Sequence, residues 1–199
     1  MKIDEQFHST GYMLIEDPIS PDIAAMMHYF NKIINLNLEK DWRKEDAEII
    51  VPEKGKSPPA TIKYAWAPIE ALLLYFKPFY QNWSGKELVP SYSFTRKYYR
   101  GNHLGRHSDR PSCQYSMTIN IGSSDDSKPW HFFCEPKATG VQSQISQPLY
   151  QPIIYKGEEV DHWRDTLKKE YSTHVFLHYV DRHDPAYKEF WYDKRRFVG

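Results

Sequence analysis

From residue 87 onward this chain is dominated by short strand-like segments, and that run constrains its fold more than anything else in the sequence. Residues 88–100, 114–121, 130–134, 151–155, 159–164 and 172–180 are rich in β-branched and aromatic residues and are separated by Gly, Pro, Asp and Ser. Short strands with turn signals between them must find partners in a sandwich or barrel. The first part reads differently. Residues 11–15 read as a short strand. Ser20-Pro21-Asp22 then gives an N-cap, a proline at the first helical position and an acid in the first turn. Ile23, Met26, Met27, Phe30 and Ile34 continue at helical spacing to about residue 35. A second helix follows Pro68, with Ile69, Leu72, Leu73 and Phe76 on one side, and Pro78 is expected to end or kink it. The expected class is α+β, mainly β. Residues 1–199 form one domain: 1–86 as mostly helical support, 87–181 as the β core and 182–199 as a tail with a short helix.

Composition narrows the function classes. Lys and Arg total 26 against 26 Asp and Glu, so no overall field draws nucleic acid or an anionic membrane. Two cysteines, Cys113 and Cys134, are too few for a disulfide framework, and free thiols are expected. The N-terminus has no apolar run fit for a signal peptide, and residues 69–76 are too short to span a bilayer. A soluble cytoplasmic protein is the expectation. Residues 40–61 and 137–147 read as long surface segments and as candidate lids.

The chemistry-bearing residues are His107-Ser108-Asp109 and His162-Trp163-Arg164. In extended backbone, residues i and i+2 share a face, so His107 and Asp109 can offer a nitrogen and an oxygen to one point. A histidine from a later strand would complete a facial triad of two histidines and one carboxylate, which leaves metal positions open. His162 fits that role, with His178 its main competitor; His131 and His178 otherwise read as packed or hydrogen-bonded histidines. Cys113 and Cys134 have no second cysteine at zinc-site spacing.

Tyr99-Arg-Gly-Asn-His-Leu-Gly-Arg-His107-Ser-Asp109-Arg, Ser116-Met-Thr118-Ile-Asn-Ile-Gly122, His162-Trp-Arg and Val175-Phe-Leu-His-Tyr179 together resemble the prolyl-4-hydroxylase-like branch of the Fe(II)/2-oxoglutarate dioxygenases. The resemblance spans about residues 87–181. It implies a double-stranded β-helix (jelly roll) with supporting N-terminal helices. It also implies Fe(II) on His107, Asp109 and His162, with 2-oxoglutarate and O2 as cosubstrates and ascorbate as auxiliary reductant. The implied reaction couples decarboxylation of 2-oxoglutarate to succinate and CO2 with hydroxylation of a C–H bond in a small-molecule or peptidyl substrate, a prolyl residue among the options. Two alternatives stay open on the residues alone: a cupin-like metalloenzyme that does not use 2-oxoglutarate, and a non-catalytic jelly-roll ligand-binding module.

One family feature is displaced. The basic residue that pairs with the far carboxylate of 2-oxoglutarate would fall at Ser172. Arg164 takes that role in our reading, because it shares a strand face with His162 and a guanidinium fork suits a carboxylate. Lys168, Lys169 and His174 are the alternatives. Tyr99 matches the family tyrosine that hydrogen-bonds 2-oxoglutarate. Ser116, Thr118 and Asn120 line one strand face and Met117, Ile119 and Ile121 the other; Thr118 joins the cosubstrate pocket if the first face is the inner one. Arg110 could meet a substrate carboxylate or pair with Asp109.

Overall fold

The computed structural model describes residues 5–16, 19–39, 48–50 and 60–194. Helix α1 (Glu5–Thr10) leads into β1 (Tyr12–Leu14) and α2 (Pro21–Glu39). Strands β2 (Glu48–Ile50) and β3 (Ala60–Tyr64) precede α3 (Ala67–Ser84). Then come β4 (Leu88–Tyr99), β5 (Leu104–His107), β6 (Tyr115–Ser123), β7 (Phe132–Pro136), β8 (Ser143–Ile145), β9 (Pro152–Tyr155), β10 (Val160–Arg164) and β11 (Tyr171–Asp181). Short 3-10 segments cover Pro111–Cys113 and Pro185–Lys194.

All pairings are antiparallel and form two sheets. The larger has the order β1-β9-β6-β11-β4-β3-β2, the smaller β5-β10-β7-β8. This is the jelly-roll arrangement of two facing sheets, open rather than a closed barrel. Parity decides what each face of the large sheet does. Met117, Ile119 and Ile121 of β6, Ile154 of β9, and Val175, Leu177 and Tyr179 of β11 form one core with α1, α2 and α3. The alternate residues face the small sheet, where Ile153 and Tyr155 cluster with Phe132, Cys134 and Val160. A third cluster, Tyr98, Trp130, Leu167 and Phe176, closes one end.

Helix α3 continues past Pro78 to Ser84, so the proline does not end it. The proline deprives the Leu74 carbonyl of its helical donor, but Leu74 is 62 % exposed, so water can serve that carbonyl. The opposite face buries Ile69, Leu72, Leu73, Phe76 and Tyr80, and this packing outweighs the local penalty. Tyr80 is fully buried and its hydroxyl donates to the Ser116 and Tyr155 carbonyl oxygens, at 3.0 and 3.1 Å. The helix is thereby tied to β6 and β9 behind the site. Gly85 ends α3 in the left-handed conformation.

Two other expectations change. The stretch 137–147 is not a free lid: it contains β8, which pairs with β7, and it ends at Gln147, which is buried. Most of 40–61 lies outside the described residues; within it Glu48–Ile50 pairs with β3. Both cysteines are free thiols, and no helix among the described residues is long and apolar enough to cross a membrane.

Candidate metal and cosubstrate site

His107 closes β5 and His162 sits mid-β10. The two strands pair, and these two residues face each other across the ladder. Their ring centroids lie 4.4 Å apart. Each imidazole is oriented by a backbone carbonyl: His107 Nδ1 donates to Gly105 O at 2.8 Å and His162 Nδ1 to Val160 O at 3.0 Å. A carbonyl only accepts, so both protons sit on Nδ1 and both Nε2 lone pairs point at the shared centre. His162 is clamped between the rings of Tyr155 and Phe132, at 4.6 and 5.5 Å.

Asp109 follows β5 in a turn fixed by its own backbone N–H, which donates to Gly157 O at 2.8 Å. Its Oδ1 stands 3.6 Å from Nε2 of both histidines. Such spacing is wide for direct hydrogen bonds and suits three donors around a central cation. Ser116 Oγ lies 3.1 Å from Asp109 Oδ2 and 2.8 Å from His178 Nδ1. With the proton on His178 Nδ1, the Ser116 hydroxyl is free to donate to the carboxylate. Burial alone would push the Asp109 carboxyl up, but the His107 and His162 imidazoles outweigh it and hold it well below the usual carboxylate range. Burial also opposes charge on His107, yet Asp109 and the Gly105 carbonyl raise its pKa. The site is electron-rich and asks for a cation.

Asp109, Cys113 and His178 form a second close set of donor atoms. This set is poorer in chemistry. Burial pushes the Cys113 thiol up to about 12, so it stays protonated, and its sulfur lies 3.1 Å from the Tyr92 hydroxyl. His178 gives one ring nitrogen to Ser116 and packs against Tyr92 at 4.5 Å. It sits behind Asp109 as a buried hydrogen-bonded histidine. His131 lies elsewhere, edge-on to Phe133.

Arg164 is the deeply buried cation of the interior, 2 % exposed. It shares the inward face of β10 with His162 and touches the same Phe132 ring, at 5.2 Å. Its Nη1 donates to Trp130 O and its Nη2 to Gln147 Oε1, both at 2.5 Å. Gln147 is held in turn by donation to Thr118 O and Gln151 O. No carboxylate forms an ion pair with Arg164 among the described residues. Burial lowers its guanidinium to about 10, which leaves it charged at neutral pH. A buried charge without a counter-ion is costly, and an anion is what would relieve it.

The other candidates for the anchor stand in different surroundings. Lys169 donates to Ser123 Oγ and Asp125 O, at 2.6 and 3.1 Å, and Lys168 lines an outer cavity of about 800 Å³. His174 is buried beside Trp130 and Tyr98, at 5.7 and 5.9 Å. Burial, with the charges of Arg164 and Lys169, pushes its pKa well below 6.5, so it is a neutral neighbour and not a cationic anchor. Ser172 Oγ is spent on His174 Nε2 at 2.9 Å. Thr118 is fully buried on the inner face and its Oγ1 has no partner, a polar atom awaiting a ligand.

Tyr99 is not where the resemblance places it. The inward tyrosine is Tyr98, buried against Trp130 at 4.8 Å, whereas Tyr99 shares the opposite face with Lys97, whose Nζ donates to Asn35 of α2. The register across Tyr98 and Ser172 sets this parity. Its sequence signal was the shared parity of Tyr92, Phe94 and Tyr98. Gln147, Trp130 and Gly157 were not foreseen; each acts through its backbone or a distant contact, and no motif marks it.

No protein-family model and no curated protein matches the chain. Solved structures do. An oxidoreductase of the 2OG-Fe(II) oxygenase family from Burkholderia pseudomallei aligns with TM-score 0.65 at 14 % identity, covering 92 % of this chain and 95 % of that one. AviO1 from Streptomyces viridochromogenes aligns with TM-score 0.69 at 15 % identity, over 91 % and 94 % of the two chains. A Pseudomonas putida prolyl-4-hydroxylase aligns with TM-score 0.65 at 12 % identity, over 89 % and 96 %. At these identities it is the fold that is shared: the chain folds as the 2OG-Fe(II) oxygenases do, in a jelly roll backed by N-terminal helices.

Proposed function

We propose that the protein is an Fe(II)- and 2-oxoglutarate-dependent dioxygenase that hydroxylates a C–H bond. One observation carries the reading: His107, Asp109 and His162 converge beside a buried, unpaired Arg164. The donor set fits iron. Two imidazoles from paired strands and one carboxylate just beyond them leave further positions on a metal free, and mixed nitrogen and oxygen ligands suit Fe(II) better than Ca²⁺. The pocket also fits the cosubstrate. Arg164 offers a charge-assisted anchor for a carboxylate, and the Thr118 hydroxyl an uncommitted polar contact. When bound, iron and 2-oxoglutarate supply the oxidant by decarboxylation to succinate and CO2.

The chain's own residues supply placement and dryness. Gly105 and Val160 fix the tautomers of the two histidines through their carbonyls. Ser116 restrains the carboxylate of Asp109 so that one oxygen faces the centre. Trp130, Phe132 and Tyr155 wall the interior with ring surface, which excludes water and strengthens every charge interaction inside. Tyr98 and His174 complete the wall around Arg164.

The test is succinate formation from 2-oxoglutarate with Fe(II) and ascorbate. Turnover is expected even without substrate, with His107→Ala and Asp109→Ala losing both iron and succinate. Succinate production surviving in both variants refutes the reading.

A further inference from the structure

The interior has two ends. Along β11, His174 lies with Arg164 and Trp130, while His178 lies four residues on, with Tyr92 and Asp109. Four residues of strand are about 13 Å, so the Tyr92 end is a separate region and not part of the cosubstrate pocket. Three elements meet at that end. Tyr92 of β4 packs against the tilted His178 ring inside and stacks on Tyr64 of β3 outside, with ring centroids 4.5 and 5.3 Å apart. The guanidinium of Arg110, directly after Asp109, lies over the Tyr92 ring at 4.8 Å. Its side chain is 57 % exposed, so a ligand from solvent can reach it.

The third element is the C-terminal 3-10 segment, which packs on β4, β11 and the Pro111–Cys113 turn. It breaks after Trp191, and Tyr192 and Asp193 then take φ of +53° and +49°. Two consecutive non-glycine residues in the left-handed region are strained, and such strain persists only where contacts hold it. Asp193 makes two such contacts: its Oδ2 accepts a hydrogen bond from the Tyr64 hydroxyl and stands 3.8 Å from Arg110 Nη2. That distance is within ion-pair range but beyond a hydrogen bond. Asp193 thus neutralises Arg110 from afar without occupying its fork.

We propose that Arg110 is the recognition residue for a free carboxylate on the substrate, and that Asp193 stands in for that carboxylate in the substrate-free protein. The inference deepens the dioxygenase reading and rests on it for the word substrate. Three facts carry it: the guanidinium adjoins the metal-site carboxylate in the chain, it is presented on an aromatic platform, and a carboxylate held by strained backbone already sits at ion-pair distance. A planar fork with one stand-in carboxylate matches a carboxylate ligand by charge and shape. Binding a true carboxylate at hydrogen-bond distance releases Asp193 and its backbone strain.

The test uses the full chain with Fe(II) and 2-oxoglutarate under argon. N-acetyl-L-proline and N-acetyl-L-phenylalanine are titrated beside their primary amides, with tryptophan fluorescence as the readout. At least one acid is expected to bind about tenfold or more tighter than its amide, the usual margin for a charge-assisted contact. Arg110→Gln should bring the two affinities together. Asp193→Asn should tighten the acid severalfold and leave the amide unchanged, which a loss of folding would not do. Equal affinity of acid and amide, binding of neither, or a preference that survives Arg110→Gln overturns the assignment. Substrate-free succinate formation by the wild-type protein, run alongside, separates the two readings: its absence sinks the dioxygenase proposal, whereas its presence without an acid preference sinks only the role of Arg110.

Discussion

Gly157 lies directly against Asp109: a β-carbon at position 157 would stand 2.8 Å from the carboxylate Oδ2 and 2.2 Å from the Cys113 carbonyl oxygen. The same glycine accepts the Asp109 N–H through its carbonyl. Position and contact together set where the carboxylate points.

Gly157→Ala is therefore expected to push Asp109 off the centre. Overpacking against backbone costs about 1–3 kcal/mol of stability. The stronger effect should be on iron: metal analysis after reconstitution should show most of the occupancy lost while the far-ultraviolet circular dichroism stays native. Full iron occupancy in this variant would show that Gly157 does not position the carboxylate.

Gly122 makes a useful contrast. A β-carbon there would lie 2.0 Å from the Asn31 side-chain amide, where α2 meets β6 on the face away from the site. Gly122→Ala should cost about 1–3 kcal/mol in urea denaturation and leave iron stoichiometry intact. Iron loss equal to that of Gly157→Ala would mean that both changes act through general unfolding.

Arg164→Gln removes the buried charge without touching a metal donor. The KM for 2-oxoglutarate should rise about 30-fold or more, the cost of truncating one side of a buried charged pair. Iron content should not change. A normal KM would move the anchor elsewhere.

Acid should weaken the fold early. Burial pushes His178 down to about 4 and His174 well below its ordinary 6.5. Both folded values are lowered, so the unfolded chain binds protons first as pH falls. Stability is then fully present above about pH 6.5 and is lost as pH drops toward 4, by up to ~1.4 kcal/mol per pH unit for each histidine. His107, whose pKa is raised, contributes the opposite slope. The comparison is thus between the wild type and a His174→Gln, His178→Gln variant, by urea denaturation between pH 7 and 5. The variant should lose less stability on acidification, and equal losses would refute the account.

Much of the site was legible because it depends on periodicity. The strands of the second half, the helix faces of Ile69, Leu72 and Phe76, and the alternating row of Ser116, Thr118 and Asn120 follow from alternation or helical spacing, although which face of that strand points inward does not. Where a single residue of parity decided, the reading turned on register. Tyr98 and Tyr99 are adjacent tyrosines with equal propensity, and only the pairing of β4 with β11 says which one faces in. The strands β5 and β8 have four and three residues, too few for a pattern to show. Pro78 does not end its helix because the penalty is local while the burial that overrides it is tertiary. Gly157 left no signal, since its importance lies in an atom it lacks.

The ladder pairing of His107 with His162 has a kinetic consequence. Both imidazoles are held by sheet hydrogen bonds and by their own backbone carbonyls, so they keep their aim whether or not a cation is present. Asp109 sits outside the strand, on a turn. Metal exchange should accordingly proceed by swinging out one carboxylate from a fixed two-histidine seat, so that a chelator strips the ion at a rate set by the Asp109 turn while the sheets stay folded throughout.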